Sequence, residues 1–284
     1  MMTDGIVSAV KETLITAGST FSEDKIRAYQ RAIAAETNER AKWVLETILE
    51  NGKTAAKNRT PLCDDSGIPH IVLEVGKNRA VTGEMLDAIY QGVAEGLREM
   101  PGRPMAVMGS DWERIDQSGG LDPDPGALAP APLLMHYSDV PDRLRVHIAM
   151  FGGGPAIRGK TYRVFHKHSA QVVKDEIVSW ASEAVAQLGC SPCTLTIGIG
   201  RSHYEAASLM LKAQVFGNHD VQSEAEQEIT RRVNETNIGV LGLHGDTSVL
   251  STFLQIGPQR ASGVRVVCMR PSCCFEPRHA YTDL

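Results

Sequence analysis

The chain has 284 residues, is 42% hydrophobic and 5% aromatic, and carries a net charge of −5. It can bury a substantial core, but it lacks the basic excess that neutralises a phosphate backbone and the aromatic surface that stacks bases, which argues against nucleic-acid binding. No apolar run approaches the roughly 18 residues a membrane-spanning helix needs, which argues against a membrane partner.

From the start, Met1-Met2-Thr3-Asp4-Gly5 has no basic n-region or long apolar stretch and does not read as a secretory signal. A helix opens at Ser22, with Glu23 and Asp24 in its dipole-favoured first turn. Its apolar period runs from Ile26 to Ile48 with one slip near Thr37-Asn38, and Asn51-Gly52 supplies a stop before helix-like chain resumes to Asn58. Ile71 to Val75 reads as a strand, and Thr82 caps a helix over 83–99. Regular structure should be sparse in the proline-rich segment from Pro101 to Pro132, which also carries Gly119-Gly120. A strand follows from Leu144 to Met150, ending at Phe151-Gly152-Gly153-Gly154. A long helix over 169–188 presents Val173, Ile177, Trp180, Ala181 and Leu188 on one face, and a strand runs from Thr194 to Ile199. Ser202 with Glu205 and Ser223 with Glu226 have capping-box spacing, and Val264 to Val267 is a last strand. Strands alternating with helices predict an α/β (α+β) fold, mixed sheets surrounded by helices, as one domain over 1–284.

The six cysteines are Cys63, Cys190, Cys193, Cys268, Cys273 and Cys274. Without an export signal they read as thiols or metal ligands rather than disulfides, which makes the cytoplasm the expected location. Cys63 stands beside Asp64 and Asp65, an odd setting for a packing cysteine, because negative charge raises a thiol pKa. Beside a cationic metal cluster the arrangement is sensible, with Asp65 binding at the metal or transferring protons. Cys190-Ser191-Pro192-Cys193 follows a helix end, whereas a redox CxxC usually begins a helix. Cys273-Cys274 lacks zinc-knuckle spacing. Thiolates from three loops suit a cluster with one open iron, but spacing alone favours buried structural cysteines, and a zinc site on Cys190, Cys193, Cys273 and Cys274 is a further alternative. The glycine runs match neither GxGxxG nor a P-loop and read as tight turns; near a metal their amides can hold a carboxylate.

Other residues have plain readings. Trp43 and Trp180 at helical spacing are core, His166 and His168 a solvated edge, and His203 surface. Glu224 to Glu228 is the solvated start of a helix, and Cys268 a strand cysteine. Arg158, Lys160 and Arg163 either steer a dianion or form an exposed basic face.

Taken together, these motifs resemble class I iron–sulfur fumarases and L(+)-tartrate dehydratase, specifically the alpha subunit or N-terminal catalytic region. Ala35 to Lys42 and Pro61-Leu62-Cys63-Asp64-Asp65-Ser66-Gly67 are similar to the family's first helix and first cluster loop. Gly152-Gly153-Gly154 resembles its glycine triplet, and Gly189-Cys190-Ser191-Pro192-Cys193 its second cysteine loop. Asn237-Ile238-Gly239 to Gly245-Asp246-Thr247-Ser248 and Cys274-Phe275-Glu276-Pro277-Arg278 resemble its last two loops.

The resemblance implies a [4Fe–4S] cluster on Cys63, Cys193 and Cys274, with the spacing to Arg278 favouring Cys274 over Cys273. It implies a proton-transfer role for Asp65 and substrate contacts from Asp64, Arg103 and the amides of Gly152, Gly153 and Gly154. Arg98 competes with Arg103, and the family's Lys-Asn-Thr-Gly-Asn-type segment is not recognisable near 126–132. The implied activity is reversible dehydration of a small hydroxy-dicarboxylic acid, tartrate-like or malate/fumarate-like. Because the chain ends at Leu284, a separate beta subunit and an alpha2beta2 assembly are expected. A non-enzymatic iron–sulfur or zinc-binding protein retaining the fold is the other reading.

Overall fold

The structure, a computed structural model, describes residues 3–100, 102–103 and 105–284. The start at Met1-Met2, together with Pro101 and Pro104 of the proline-rich segment, lies outside the described residues. The chain divides into two compact units, 1–20, 52–152 and 278–284 in the first, and 21–51 and 153–277 in the second. Each contains a four-stranded mixed sheet with helices, the α/β (α+β) class expected.

In the first unit the sheet order is β2-β1-β3-β8, numbered along the whole chain: β1 Ile68–Gly76, β2 Leu134–Ser138, β3 Leu144–Phe151 and β8 His279–Asp283. β2 runs parallel to β1, while β1 with β3 and β3 with β8 are antiparallel. Strand alternation gives the sheet an apolar face, where Ile71, Leu73, Val146 and Ile148 meet helices α1 (Thr3–Ser19) and α4 (Gly83–Glu99). Burying each such side chain stabilises by about 1.5–3 kcal/mol. The opposite face carries His70, Glu74, His147 and His279, which the same alternation turns away from the helices. Thr82 caps α4 as expected, its Oγ1 accepting from Met85 N–H at 3.3 Å. Regular structure between 105 and 132 is limited to α5 (Asp111–Asp116), a single turn at Pro125–Ala127 and a bridge from Val107 to Leu121.

In the second unit the order is β4-β7-β5-β6, with β4 Lys160–Phe165, β5 Cys193–Gly200, β6 Val249–Ile256 and β7 Val264–Ser272. β5 and β6 are parallel; β7 is antiparallel to β4 and β5. Ile177 and Ala181 of α7 (Ala170–Leu188) and Ile229 and Val233 of α9 (Glu224–Asn234) pack over Leu195 and Ile197. α8 (His203–Phe216) also packs on this sheet, where Ala206 buries against Val266 and Cys268. Ser223 and Glu226 close a full capping box; Ser202 caps α8, but Glu205 turns back to Arg201 N–H instead.

Three expectations are corrected. The slip near Thr37-Asn38 is a true break between α2 (Glu23–Ala35) and α3 (Glu39–Asn58). Asn51-Gly52 does not stop α3, because buried Leu49 and Ala55 on either side outweigh the glycine's roughly 1 kcal/mol helix cost. Trp43 is 66% exposed rather than core, since the helix restarts at Glu39 with Ala41, Leu45 and Ile48 turned inward. Trp180 is partly buried, packing on Tyr162 at 4.6 Å. β7 also runs past Val267 and delivers the Cys273-Cys274 turn directly.

Candidate functional site

In the second unit β5 and β7 pair from Thr194 with Ser272 onward, which sets the loops before β5 and after β7 side by side. Cys193 begins β5 and is fully buried, and its N–H donates to Ser248 O at 3.0 Å. Cys274 N–H donates to Cys190 O at 2.8 Å, joining the two cysteine loops through main chain. Tyr29 of α2 donates its phenolic O–H to Cys274 O at 2.6 Å. Lys25, one turn earlier and fully buried, donates to Glu276 O at 2.7 Å and lies 4.5 Å from the Phe21 ring. Glu276 is fully buried and ion-paired to Arg270.

The electrostatics mark this as a crowded thiol site. Burial, then the charge of Cys273, pushes the Cys193 thiol far above its ordinary range. Cys274 is pushed well up by its hydrogen bond with Cys273 and by burial, while Lys25 pulls the other way. Cys190 is raised by burial and by Cys273. Burial and then the charges of Cys274, Cys273 and Cys193 raise the Tyr29 phenol. Thiols packed this closely cannot ionise unaided, and a bound cation or cationic cluster is what makes such groups thiolates. The donor chemistry therefore fits a cluster at Cys193 and Cys274. Among the described residues, no group of three or more His, Cys, Asp or Glu side chains is arranged to hold a metal ion.

The loop from Asn237 to Ser248 packs against the same cysteine strand: Ser191 donates Oγ–H to Gly239 O at 2.7 Å, and Gly239 N–H donates to Ser248 Oγ at 2.9 Å. Left-handed conformations occur at Asn237, Gly239, Leu241, Gly242, His244 and Gly245. At Gly239, φ 73°, a Cβ would lie 2.2 Å from His244 C and O, so only glycine fits. The anchor is Glu36, 5% exposed at the end of α2. Its carboxylate accepts from Asp246 N–H at 3.0 Å, Thr247 N–H at 3.1 Å and Asn38 N–H at 3.0 Å. Glu36, Lys25 and Tyr29 were not signalled in the sequence, because a helical period marks a face but not what that face meets.

In the first unit, Leu62 N–H donates to Gly18 O at 3.0 Å and starts the Cys63 loop. The Cys63 thiol donates to Asp64 Oδ1 at 3.3 Å. That bond, then the Asp65 backbone amide, holds the exposed Asp64 carboxyl below its usual range, helped by the charge of Arg103. Arg103 Nη2 stands 3.4 Å from Asp65 Oδ2 and its Nη1 3.8 Å from Asp64 Oδ2. Arg98 is committed elsewhere, in a bidentate pair with Asp124 at 2.9 and 2.8 Å. Arg278, 1% exposed, donates from Nη1 to Asp65 O at 2.5 Å, and its own carbonyl accepts from Met150 N–H at 2.9 Å. A side chain at Gly67 would strike Arg278 Nη2 at 2.8 Å and Phe151 C at 2.7 Å, and φ is 87° there. In sequence Arg278 served only as a register mark; its burial under Asp65 is a tertiary fact.

Asp64, Asp65 and Arg103 thus share one loop cluster with Cys63, and Cys193 and Cys274 share another. Gly152 is buried beyond the end of β3, whereas Gly153 and Gly154 are exposed and open the short helix α6 (Gly153–Ala156). His168 and His203 are exposed, as expected; His166 is half-buried, with Nε2 2.8 Å from Ser262 O. Cys268 lies in β7. No helix among the described residues is long and apolar enough to cross a membrane.

Sequence comparison places these loops in a wider setting. A family described as "Fumarate hydratase (Fumerase)" matches residues 7–283. A protein of Methanocaldococcus jannaschii with the name "Putative L(+)-tartrate dehydratase subunit alpha" is 28% identical, over 97% of this chain and 96% of its own. The L(+)-tartrate dehydratase subunit alpha of Escherichia coli is 24% identical, over 86% of this chain and 80% of its own. The protein of the same name from Shigella boydii matches equally.

Proposed function

The chain belongs to the fumarate hydratase family and is a hydro-lyase, and from that premise we propose that it is the catalytic alpha subunit of a [4Fe–4S]-dependent enzyme that reversibly dehydrates a small hydroxy-dicarboxylic acid, tartrate-like or malate/fumarate-like. The observation that carries this reading is the pair of buried thiols, Cys193 and Cys274, crowded beside Cys273 in loops joined through main chain. Cys63, Cys193 and Cys274 hold the cluster, and residues 1–284 act as one catalytic domain.

When bound, the cluster supplies an open iron that acts as a Lewis acid toward the substrate hydroxyl. The remaining work falls to side chains and amides of the chain. Arg103 and the amides of Gly152, Gly153 and Gly154 bind substrate carboxylates, with Asp64 at the rim. Asp65, next to Arg103 at 3.4 Å, transfers a proton. Arg278 holds the Asp65 main chain, so the carboxyl keeps its aim. A beta subunit in an alpha2beta2 assembly contributes the rest of the substrate site, and the enzyme works in the cytoplasm.

The test is iron and acid-labile sulfide analysis with EPR on anaerobically prepared protein, beside Cys63→Ser, Cys193→Ser and Cys274→Ser. About four irons per chain, lost in each variant, together with turnover of a hydroxy diacid once the beta subunit is present, is the expected result. Zinc in place of iron, or iron retained in the variants, overturns the ligand assignment.

A further inference from the structure

The end of the second sheet away from the cysteine loops carries a cavity of about 580 Å³. Strand direction puts it there. β5 begins at Cys193 and reaches the cavity at Ile199, while β7 passes the cavity at Arg265 before it ends at Ser272. Six residues at about 3.3 Å each leave roughly 20 Å between Cys193 and Ile199. The volume falls within the roughly 300–1,000 Å³ of small-molecule sites.

The walls are apolar. Val173 and Ile177 of α7 and Ile229 of α9 line one side, and Ile199, Leu254 and Ile256, at the carboxyl ends of the parallel strands β5 and β6, line the other. The ionisable groups that line the cavity are His166, His168, Lys174 and Arg265, all basic, and no carboxylate lines it among the described residues. Lys174 is already ion-paired to Glu228 on α9. His166 accepts at Nδ1 from His168 N–H at 3.0 Å and donates from Nε2 to Ser262 O at 2.8 Å, which fixes a neutral tautomer.

Arg265 differs. Strand alternation puts it on the same face as Val267 and Met269, which pack with Val173 and Ile177. Its Nη1 donates only to main-chain carbonyls, among them Ser262 O at 3.0 Å and Val264 O at 2.9 Å. No carboxylate pairs with it among the described residues, so a guanidinium charge borders an apolar space with no protein anion to balance it. Its planar fork suits a carboxylate. An uncharged ligand would leave that charge unbalanced, and a dicarboxylate would have to place its second charge against isoleucines.

We propose that this cavity binds an amphiphilic monocarboxylate, its head on Arg265 and its apolar chain between α7 and the ends of β5 and β6. From Ser169 to Ile177 the helix offers about 12 Å at 1.5 Å per residue, room for a straight chain of about eight to ten carbons at ordinary bond lengths. The site stands apart from the cysteine loops and does not rest on the hydro-lyase reading.

Isothermal titration calorimetry of decanoate into the full chain tests this and needs neither iron nor turnover. Expected is one decanoate per chain, with affinity falling about fourfold for each methylene removed down to hexanoate. Decanol, which lacks the charge, should bind about tenfold more weakly, and succinate should not displace decanoate. Arg265→Met should weaken decanoate about tenfold or more. Because Arg265 also braces the turn before β7, Ile256→Glu is the second variant. Ile256 is 61% exposed, so its replacement spares the fold, and a carboxylate in the apolar wall should weaken decanoate about tenfold. Circular dichroism checks that both variants fold. No saturable heat, several decanoates per chain, decanol as tight as decanoate, displacement by succinate, or affinity unmoved in either folded variant overturns the proposal. Loss of decanoate binding when the beta subunit is added also overturns it and makes the cavity a protein interface. Decanoate bound by a fully loaded enzyme that dehydrates no hydroxy acid upholds this site and defeats only the hydro-lyase reading.

Discussion

Replacing Glu36 by Ala should unfold the second unit more readily than any surface change in it. The Glu36 carboxylate, 5% exposed, takes the N–H groups of Asn38, Asp246 and Thr247 at 3.0–3.1 Å. A hydrogen bond to a charged group contributes about 1.5 kcal/mol or more, so three donors together give about 4.5 kcal/mol. Water reaching the exposed Asp246 side returns part of that, and the net loss should be about 3 kcal/mol. Urea denaturation followed by circular dichroism measures it, and Tm should fall by about 6–12 °C, taking 2–4 °C per kcal/mol for a domain of this size. Glu36→Gln, which keeps one accepting oxygen, should lose about half as much. Because this loop also holds Ser191 and Cys193 N–H, iron retention should fall with stability. A loss below about 1 kcal/mol in Glu36→Ala would refute the reasoning, since it would mean the loop is held by its own turns and not by the carboxylate.

His219 is buried, and burial, with the charge of Lys25, depresses its pKa from 6.5 to about 3 against the pull of Asp24. The folded state then binds fewer protons than the unfolded one, so this contribution to stability is full above about pH 6.5 and is lost as pH falls toward 3. Between pH 7 and 5 the parent should lose about 2 kcal/mol more than His219→Gln in urea titrations; equal slopes would show that another group titrates. Gly239→Ala should cost about 2 kcal/mol or more, because φ is 73° and the added Cβ meets His244 backbone at 2.2 Å; a thermal melt matching the parent's would contradict it. Arg278→Lys keeps the charge but not the guanidinium fork that reaches Asp65 O, and should lower kcat at least tenfold with the fold intact by circular dichroism. Full activity in Arg278→Lys would remove Arg278 from the site.

Much of this molecule could be read from order along the chain. Thr82, Ser202 and Ser223 announce helix starts because a cap is a contact between near neighbours, and all three hydroxyls accept from the expected N–H groups. The strands at 144–151 and 193–200 were legible because they are β-branched or glycine-bounded runs. α1, β2, β4, β6 and β8 were not read as elements, since their stability comes from pairing and burial more than from local signals. Trp43 shows the same limit: a period without the break at 36–38 assigns the wrong inward face.

The sequence alone was enough to determine the α/β class, the family, and the residue types offered for chemistry, because each is set by composition and by short motifs in order. What only tertiary structure decided is which distant groups meet. Lys25 and Tyr29 reach the Cys274 loop across some 250 positions, Glu36 catches the loop at Asp246, and Arg278 closes on Asp65. Glu74, His147 and His279 form one line although nothing in their spacing connects them. Such meetings depend on strand register and helix docking, and these are set by the burial of the most apolar surface over the whole fold rather than by any local preference; a side chain's partner is therefore decided by the sheet that carries it.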